Sequence, residues 1–147
     1  MDSRTLTFAQ LFLRLALAVS FLSAVADRLG LWGLAGTAGV SWGNWENFVI
    51  YSNAVNSYLP ASIGQVLAIF ATAIEVVLAV LLLVGYQLKW TAICSGILLV
   101  SFAGSLSISF GVKPPLDYSV WTGAAASFLL STVSFYEFSL DEYLSKK

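Results

Sequence analysis

Four long runs of apolar residues dominate the chain, and each is long enough to predict a membrane-spanning helix. They cover about 6–26, 64–84, 88–110 and 118–136. A helix needs about 20 mainly apolar residues to cross a bilayer, and it satisfies its own backbone polar groups there. Gly85, Tyr86 and Gln87 predict a tight turn between the second and third runs. The pattern therefore predicts an all-α integral membrane protein, an antiparallel four-helix bundle that forms one domain over residues 1–147.

The long connection between the first two runs, residues 27–62, changes character along its length. It begins with glycine at every third position from Gly30 to Gly39, which favours irregular backbone. Apolar residues then recur at three- and four-residue spacing, which predicts an extra amphipathic helix over about 44–59 in the first external loop. Trp42 and Trp45 are typical of a membrane interface. Two interpretations stay open, a helix lying across the mouth of the bundle or a lid over a site.

Composition agrees with a membrane protein and excludes several classes of function. The chain is 59% hydrophobic and 10% charged, whereas soluble domains carry about 25% charged residues. A net charge of −1 without a basic cluster excludes nucleic acid as an expected partner. The chain has no histidine and a single cysteine, Cys94, so it lacks the common zinc, copper and haem ligands. We therefore expect no metal site and assign no catalytic residue.

The distribution of lysine and arginine predicts the orientation. Four basic residues fall on one side of the predicted topology and two on the other: Arg4, Lys89, Lys146 and Lys147, against Arg28 and Lys113. Cytoplasmic segments of membrane proteins carry the excess of basic residues. We expect a multi-pass protein of the inner (cytoplasmic) membrane, with both termini in the cytoplasm and the 27–62 connection outside.

Two charged residues interrupt the apolar runs, Arg14 near the middle of the first and Glu75 near the middle of the second. Ionisable groups at this depth are costly, and they are usually paired or functional. If the two helices are antiparallel neighbours, a salt bridge between Arg14 and Glu75 is the least costly arrangement. Small residues on the Glu75 face predict that this side chain points into the bundle. A structural pair, a ligand head-group site and a proton relay all stay open, with Asp27 and Arg28 as further candidate ligand-binding residues.

Several short motifs, in this order and spacing, resemble the DoxX family of small four-helix membrane proteins. They are Leu13–Ala16, Ala26–Gly33, Leu59-Pro60, Glu75, Gly85 followed by Lys89, and Lys113–Ser119. The resemblance covers nearly the whole chain. It implies a four-helix membrane protein linked to membrane oxidoreductase complexes, such as a subunit of a thiosulfate:quinone oxidoreductase. Because the chain has no histidine and a single cysteine, any redox role would need a partner protein or a non-covalently bound quinone.

Three functions remain open from the sequence. The first is an accessory subunit of a membrane redox system, which binds a quinone or lipid near Arg14, Asp27, Arg28 and Glu75 and docks a membrane or peripheral redox partner. The second is a small proton-linked transporter that uses the same charges. The third is a purely structural membrane scaffold. Besides the lipid bilayer, a second copy of the chain is a candidate partner.

Overall fold

The computed structural model describes residues 3–146 of the protein, and the regular structure within them is helical. Seven helices and no strand occur within these residues: α1 Ser3–Arg28, α2 Trp45–Val55, α3 Ala61–Val84, α4 Leu88–Phe110, α5 Lys113–Asp117, α6 Val120–Ser131 and α7 Leu140–Ser145. Three of them, α1, α3 and α4, are long and apolar enough to cross a membrane. The prediction of an all-helical protein of membrane type is confirmed to this extent.

The bounds of these three helices follow local stop signals. Helix α4 coincides with the predicted run 88–110, and α1 extends beyond its predicted run, 6–26, at both ends. Helix α3 begins directly after Pro60, because proline has no N–H to donate within a helix. It ends at Gly85, whose φ of 76° is left-handed and so suits glycine. Proline and glycine thus delimit the second predicted span, which begins at Ala61 rather than at 64.

The fourth apolar run, predicted to span 118–136, does not form one continuous helix. Ser119 has a φ of 57°, which separates α5 from α6. Helix α6 has 12 residues, about 18 Å, against a hydrocarbon core of about 30 Å. At its end, the hydroxyl of Ser131 donates to the Phe128 carbonyl and that of Thr132 to the Leu129 carbonyl. Such local bonds compete with helical ones, and apolar content alone therefore overestimated the length of this helix.

The core lies where α1 packs on α3 and α4 packs on α6. Buried positions on α1 recur every three or four residues, which places one face of that helix in the core. Alanines at the contacts, Ala18, Ala79 and Ala92, are fully buried and let the helix axes approach closely. The apolar core cluster is Leu17, Ala18, Phe21, Leu78, Ala79, Leu82, Leu88, Ala92, Leu130 and Tyr136.

The two ends of the bundle differ in their coverings. At one, here called the terminal end, the C-terminal segment 132–146 packs near the start of α1 and the α3–α4 turn. There the backbone N–H of Asp141 donates to the Gly85 carbonyl at 3.0 Å, and the Gln10 amide donates to the Glu137 carbonyl at 3.1 Å. The Asp141 carboxylate accepts the N–H groups of Gln87 and Leu88, which caps α4. At the other, the loop end, a glycine-rich loop (residues 29–43) and α2 cover the bundle.

Candidate functional site

The four charged residues singled out in the sequence lie at two separate places. Arg14 is buried near the terminal end, whereas Asp27, Arg28 and Glu75 form a buried cluster towards the loop end. Glu75 points into the bundle, as its small-residue face predicts. The candidate site is therefore the cluster around Arg28 and Glu75.

The expected Arg14–Glu75 salt bridge is wrong, because Arg14 binds carbonyl oxygens instead. Its Nε donates to Leu82 O at 3.2 Å and its Nη2 to Leu83 O at 3.5 Å. Its Nη1 donates to Glu137 O at 3.1 Å and to Phe138 O at 3.3 Å. A cation at the C-terminus of a helix is favourable because unpaired carbonyls concentrate negative charge there. Arg14 thus caps α3 and holds the C-terminal segment.

Glu75 pairs with Arg28, the last residue of α1. The Arg28 Nη2 donates to Glu75 Oε1 at 3.0 Å, and Nη1 bonds Glu75 Oε2. Helical side chains project back towards the N-terminus of their helix. Arg28 therefore reaches from the end of α1 into the bundle, while Arg14 reaches away from Glu75 towards the end of α3. Because the two arginine side chains point this way, Glu75 pairs with Arg28 and not with Arg14.

Further contacts fix the Arg28 guanidinium in place. Its Nη1 also donates to Thr72 Oγ1 at 2.8 Å, and the Thr72 hydroxyl donates to the Ala68 carbonyl one turn earlier. The Phe48 ring centroid lies 4.0 Å from Arg28 Cζ, and that of Trp42 lies at 5.4 Å. Desolvated cation–π contacts of this kind are worth about 2 kcal/mol. The Arg28 Nε is buried and has no hydrogen-bond partner among the described residues.

Asp27 organises the loop that covers this cluster. Its carboxylate accepts three backbone N–H groups, from Ser41 at 2.8 Å, Trp42 at 3.1 Å and Gly43 at 2.8 Å. Gly43 is required here, because its φ is 68° and a Cβ would lie 2.3 Å from the Ala35 nitrogen. Asp27 therefore fixes the backbone that carries Trp42, so that it acts on the cluster through the loop.

Helix α2 covers the site and is tied to both neighbouring helices. Asn44 caps its start, and its buried residues Phe48, Ser52 and Val55 are spaced four and three apart. Ser52 Oγ donates to Gly64 O in α3 at 3.2 Å, and Ser109 Oγ of α4 donates to Val55 O at 2.6 Å. Phe48 and Trp42 also contact each other, with centroids 5.0 Å apart. The cover is thus a short helix with few polar ties.

Tyr51 lies at the edge of the cover formed by α2, and the pKa of its phenol reflects its burial there. Burial raises the pKa of the Tyr51 phenol, and the neighbouring Tyr118 raises it further. Its ring lies 5.5 Å from Trp42 and 6.2 Å from Phe110, between centroids. The aromatic cover thus continues from α2 towards the end of α4.

Two open clefts lie at the terminal end, away from this cluster. One of about 380 Å³ is lined by Arg4, Thr7, Phe8, Glu137 and Phe138. A smaller one of about 170 Å³ is lined by Ser134, Phe135, Tyr136, Asp141, Glu142 and Ser145. Neither cleft is lined by Arg28 or Glu75, which are 4% and 2% exposed, and because of this burial a ligand has to displace part of the cover to reach the pair.

Sequence reasoning missed several contributors to the two sites. Thr72 lies one turn from Glu75 and was not singled out, although a hydroxyl at that spacing on the same face is a readable signal. The Arg14 partners are backbone carbonyls, which carry no side-chain signal in the sequence. Helix α7 was also missed, although Ser139 and Glu142 have the spacing of a capping box. Ser139 indeed accepts the Glu142 N–H at 3.0 Å.

Comparison with known proteins gives no relative. No protein family model, curated protein or solved structure matches the chain.

Proposed function

We propose that this chain is a DoxX-like four-helix membrane protein that serves as an accessory, quinone-binding subunit of a membrane redox system. The observation that carries the proposal is the environment of Arg28. Its guanidinium is buried at an ion pair, stacked by Phe48 and Trp42, and keeps an unpartnered Nε–H.

The chemistry around Arg28 suits a quinone head group. A quinone is planar and apolar, and its carbonyl oxygens accept hydrogen bonds without carrying charge. Arginine N–H groups supply the donors, and the faces of Phe48 and Trp42 supply stacking surfaces. A quinone carbonyl would satisfy the Arg28 Nε without breaking the bond to Glu75. The bilayer would deliver such a ligand directly to the cover.

Access requires helix α2 to move, so we assign it the role of a lid. Ser52 and Ser109 tie it with neutral hydrogen bonds, each of which is worth about 1 kcal/mol net. Gly36 and Gly39, in the part of the loop that Asp27 does not bind, have open space around them, so the backbone can change conformation there. Opening of α2 would expose Arg28 while α1 and α3 stay packed.

The fourth crossing and the orientation belong to the same proposal. Helices α5 and α6 together with residues 132–136 would cross the membrane beside α4, since Leu130 and Tyr136 pack in the core with Leu88. The terminal end would be cytoplasmic by its excess of lysine and arginine. In a Cys94→Ser background, an impermeant thiol reagent on intact cells should label Lys113→Cys and leave Ser145→Cys unlabelled. The reverse labelling would contradict this orientation.

Binding is tested by quenching of tryptophan fluorescence, because quinones quench indoles at short range. In a chain that keeps only Trp42, with the other tryptophans replaced by Phe, decylubiquinone in detergent micelles should quench saturably. A chain that keeps only Trp90, at the opposite end of α4, is the matched control and should show only linear quenching. Arg28→Leu/Glu75→Leu should remove the saturable component without loss of helical circular dichroism. Equal, linear quenching of Trp42 and Trp90 would refute quinone binding at this site.

A structural scaffold is the second candidate, and one observation favours it. Arg14, Asp27 and Glu75 each have internal partners, so that no ligand is needed to satisfy them. If the protein is only a scaffold, decylubiquinone should quench the tryptophan fluorescence of every single-tryptophan chain linearly. A proton-linked transporter would instead require Glu75 to release Arg28, and proton movement in vesicles driven by a ligand is its test.

A further inference from the structure

The glycine-rich loop has an unusual surface for a segment joining two helices outside a membrane. Its large apolar side chains point outward, with exposures of 60% for Leu29, 76% for Leu31, 60% for Trp32 and 81% for Leu34. The sequence has no charged residue between Arg28 and Glu46. A contiguous exposed apolar surface of this kind marks contact with a membrane or a partner.

The position of Trp32 favours the membrane. Its indole Nε1 donates to the Ser23 carbonyl of α1 at 3.1 Å. Ser23 precedes the end of α1 by five residues, so the contact lies about 7.5 Å back along the helix axis. The loop therefore folds back beside a membrane-spanning candidate, and Val19, one turn before Ser23 on α1, is also exposed.

Backbone N–H groups at both flanks of the loop find partners within the protein. Leu31 N donates to Ala26 O at 2.9 Å, and Val40 N donates to Thr37 O at 3.0 Å. Asp27 accepts the N–H groups of residues 41–43. Backbone groups without partners are costly in lipid, and such internal bonds lower that cost. Residues 29–31 and 40–43 can therefore be transferred from water towards lipid at a lower free-energy cost.

We propose that residues 29–34 of the glycine-rich loop insert into the lipid leaflet at the loop end, with acyl chains against Leu31, Trp32 and Leu34. The small residues 35–39 form the tip and lie at the level of the head groups. Trp32 is an interfacial anchor, because an indole has one polar edge and a large apolar face. The loop lies in the leaflet whether or not a quinone binds at Arg28.

Depth-dependent quenching of Trp32 tests the insertion. In liposomes, a chain that keeps only Trp32 should be quenched strongly by phosphatidylcholine brominated on its acyl chains and weakly by aqueous iodide. The water reference is a chain whose only tryptophan comes from Lys113→Trp, since Lys113 is exposed at the same end. It should show the opposite preference. Iodide quenching of Trp32 equal to that reference would overturn the proposal, and so would protection from both quenchers, which would indicate a protein partner or a second copy.

A second readout leaves all the tryptophans in place. In a Cys94→Ser background, a nitroxide at Leu34→Cys should collide with oxygen, which concentrates in lipid, at least several-fold more than with a water-soluble nickel chelate. A nitroxide at Lys113→Cys should show the reverse. A Leu34 label with the accessibility of the Lys113 label would place the loop in water and contradict the insertion.

Discussion

Replacing Glu75 and Arg28 separately and together tests which charges are partnered inside the bundle. Glu75→Leu leaves a guanidinium that is 4% exposed beside Thr72 and two aromatic rings. Arg28→Leu leaves a carboxyl that is 2% exposed. A stranded carboxyl can take up a proton, but a stranded guanidinium cannot lose one at neutral pH.

The expected magnitudes follow from this burial. Removal of one partner from a buried pair costs about 3–5 kcal/mol, whereas replacement of both by apolar groups is often close to neutral. Glu75→Leu is therefore expected to destabilise by about 3–5 kcal/mol. The double change should lie within about 2 kcal/mol of the original chain. Because Arg28→Leu adds a cost of its own, the coupling free energy should be at least the difference between Glu75→Leu and the double change, about 1 kcal/mol or more.

The assay is unfolding of the protein in mixed micelles by titration with sodium dodecyl sulfate, followed by circular dichroism. The matched control is the Arg14→Leu/Glu75→Leu cycle, because Arg14 and Glu75 share no hydrogen-bond partner. Its free energies should add within about 0.5 kcal/mol. Additivity in the Arg28 cycle together with coupling in the Arg14 cycle would refute the pairing and restore the simpler expectation from the sequence.

Three further predictions concern the residues that hold the two ends together. Asp27→Asn should raise the rate of amide hydrogen exchange at residues 41–43, since a neutral amide accepts their N–H groups less strongly than a carboxylate does. An unchanged exchange rate would show that Asp27 does not hold the loop. Arg14→Leu should release the C-terminal segment, measured as faster cleavage there by a protease, while Arg14→Lys should retain part of the protection. The hydrogen bond from Lys146 lowers the pKa of Glu142, so the ionised Glu142 side chain stabilises α7. This stabilisation is fully present above the ordinary pKa of glutamate, and it is lost as the pH falls through the lowered pKa of Glu142. Nuclear magnetic resonance of α7 should show this loss of helix, and Glu142→Gln should remove the pH dependence.

Hydropathy predicted the three long helices because each lies in a long run of mainly apolar residues. Helix α4 occupies the predicted residues, and Pro60 and Gly85 delimit α3. The fourth run was also apolar, but the left-handed Ser119 before α6 and the hydroxyls of Ser131 and Thr132 at its end shorten the helix. Hydropathy averages over a window, and it does not register single residues that end a helix.

The pairing of charges was harder to predict than the helices. Depth along the axes placed Arg14 opposite Glu75, but an arginine side chain is long and leans towards the N-terminus of its helix. That lean carries Arg28 down to Glu75 and Arg14 to the carbonyls of Leu82 and Leu83. Asp27 and Arg28 were recognised as candidates, yet their separate roles depend on how the loop folds back.

Native mass spectrometry of the protein released from lipid nanodiscs shows directly whether a quinone is bound at Arg28. The proposed function predicts a bound small molecule with the mass of a quinone, retained by the original chain and by Arg14→Lys. The Arg28→Leu/Glu75→Leu chain should lack it although it still folds. Release of phospholipid alone, or of quinone in equal amounts from both chains, would contradict quinone binding at the Arg28–Glu75 pair.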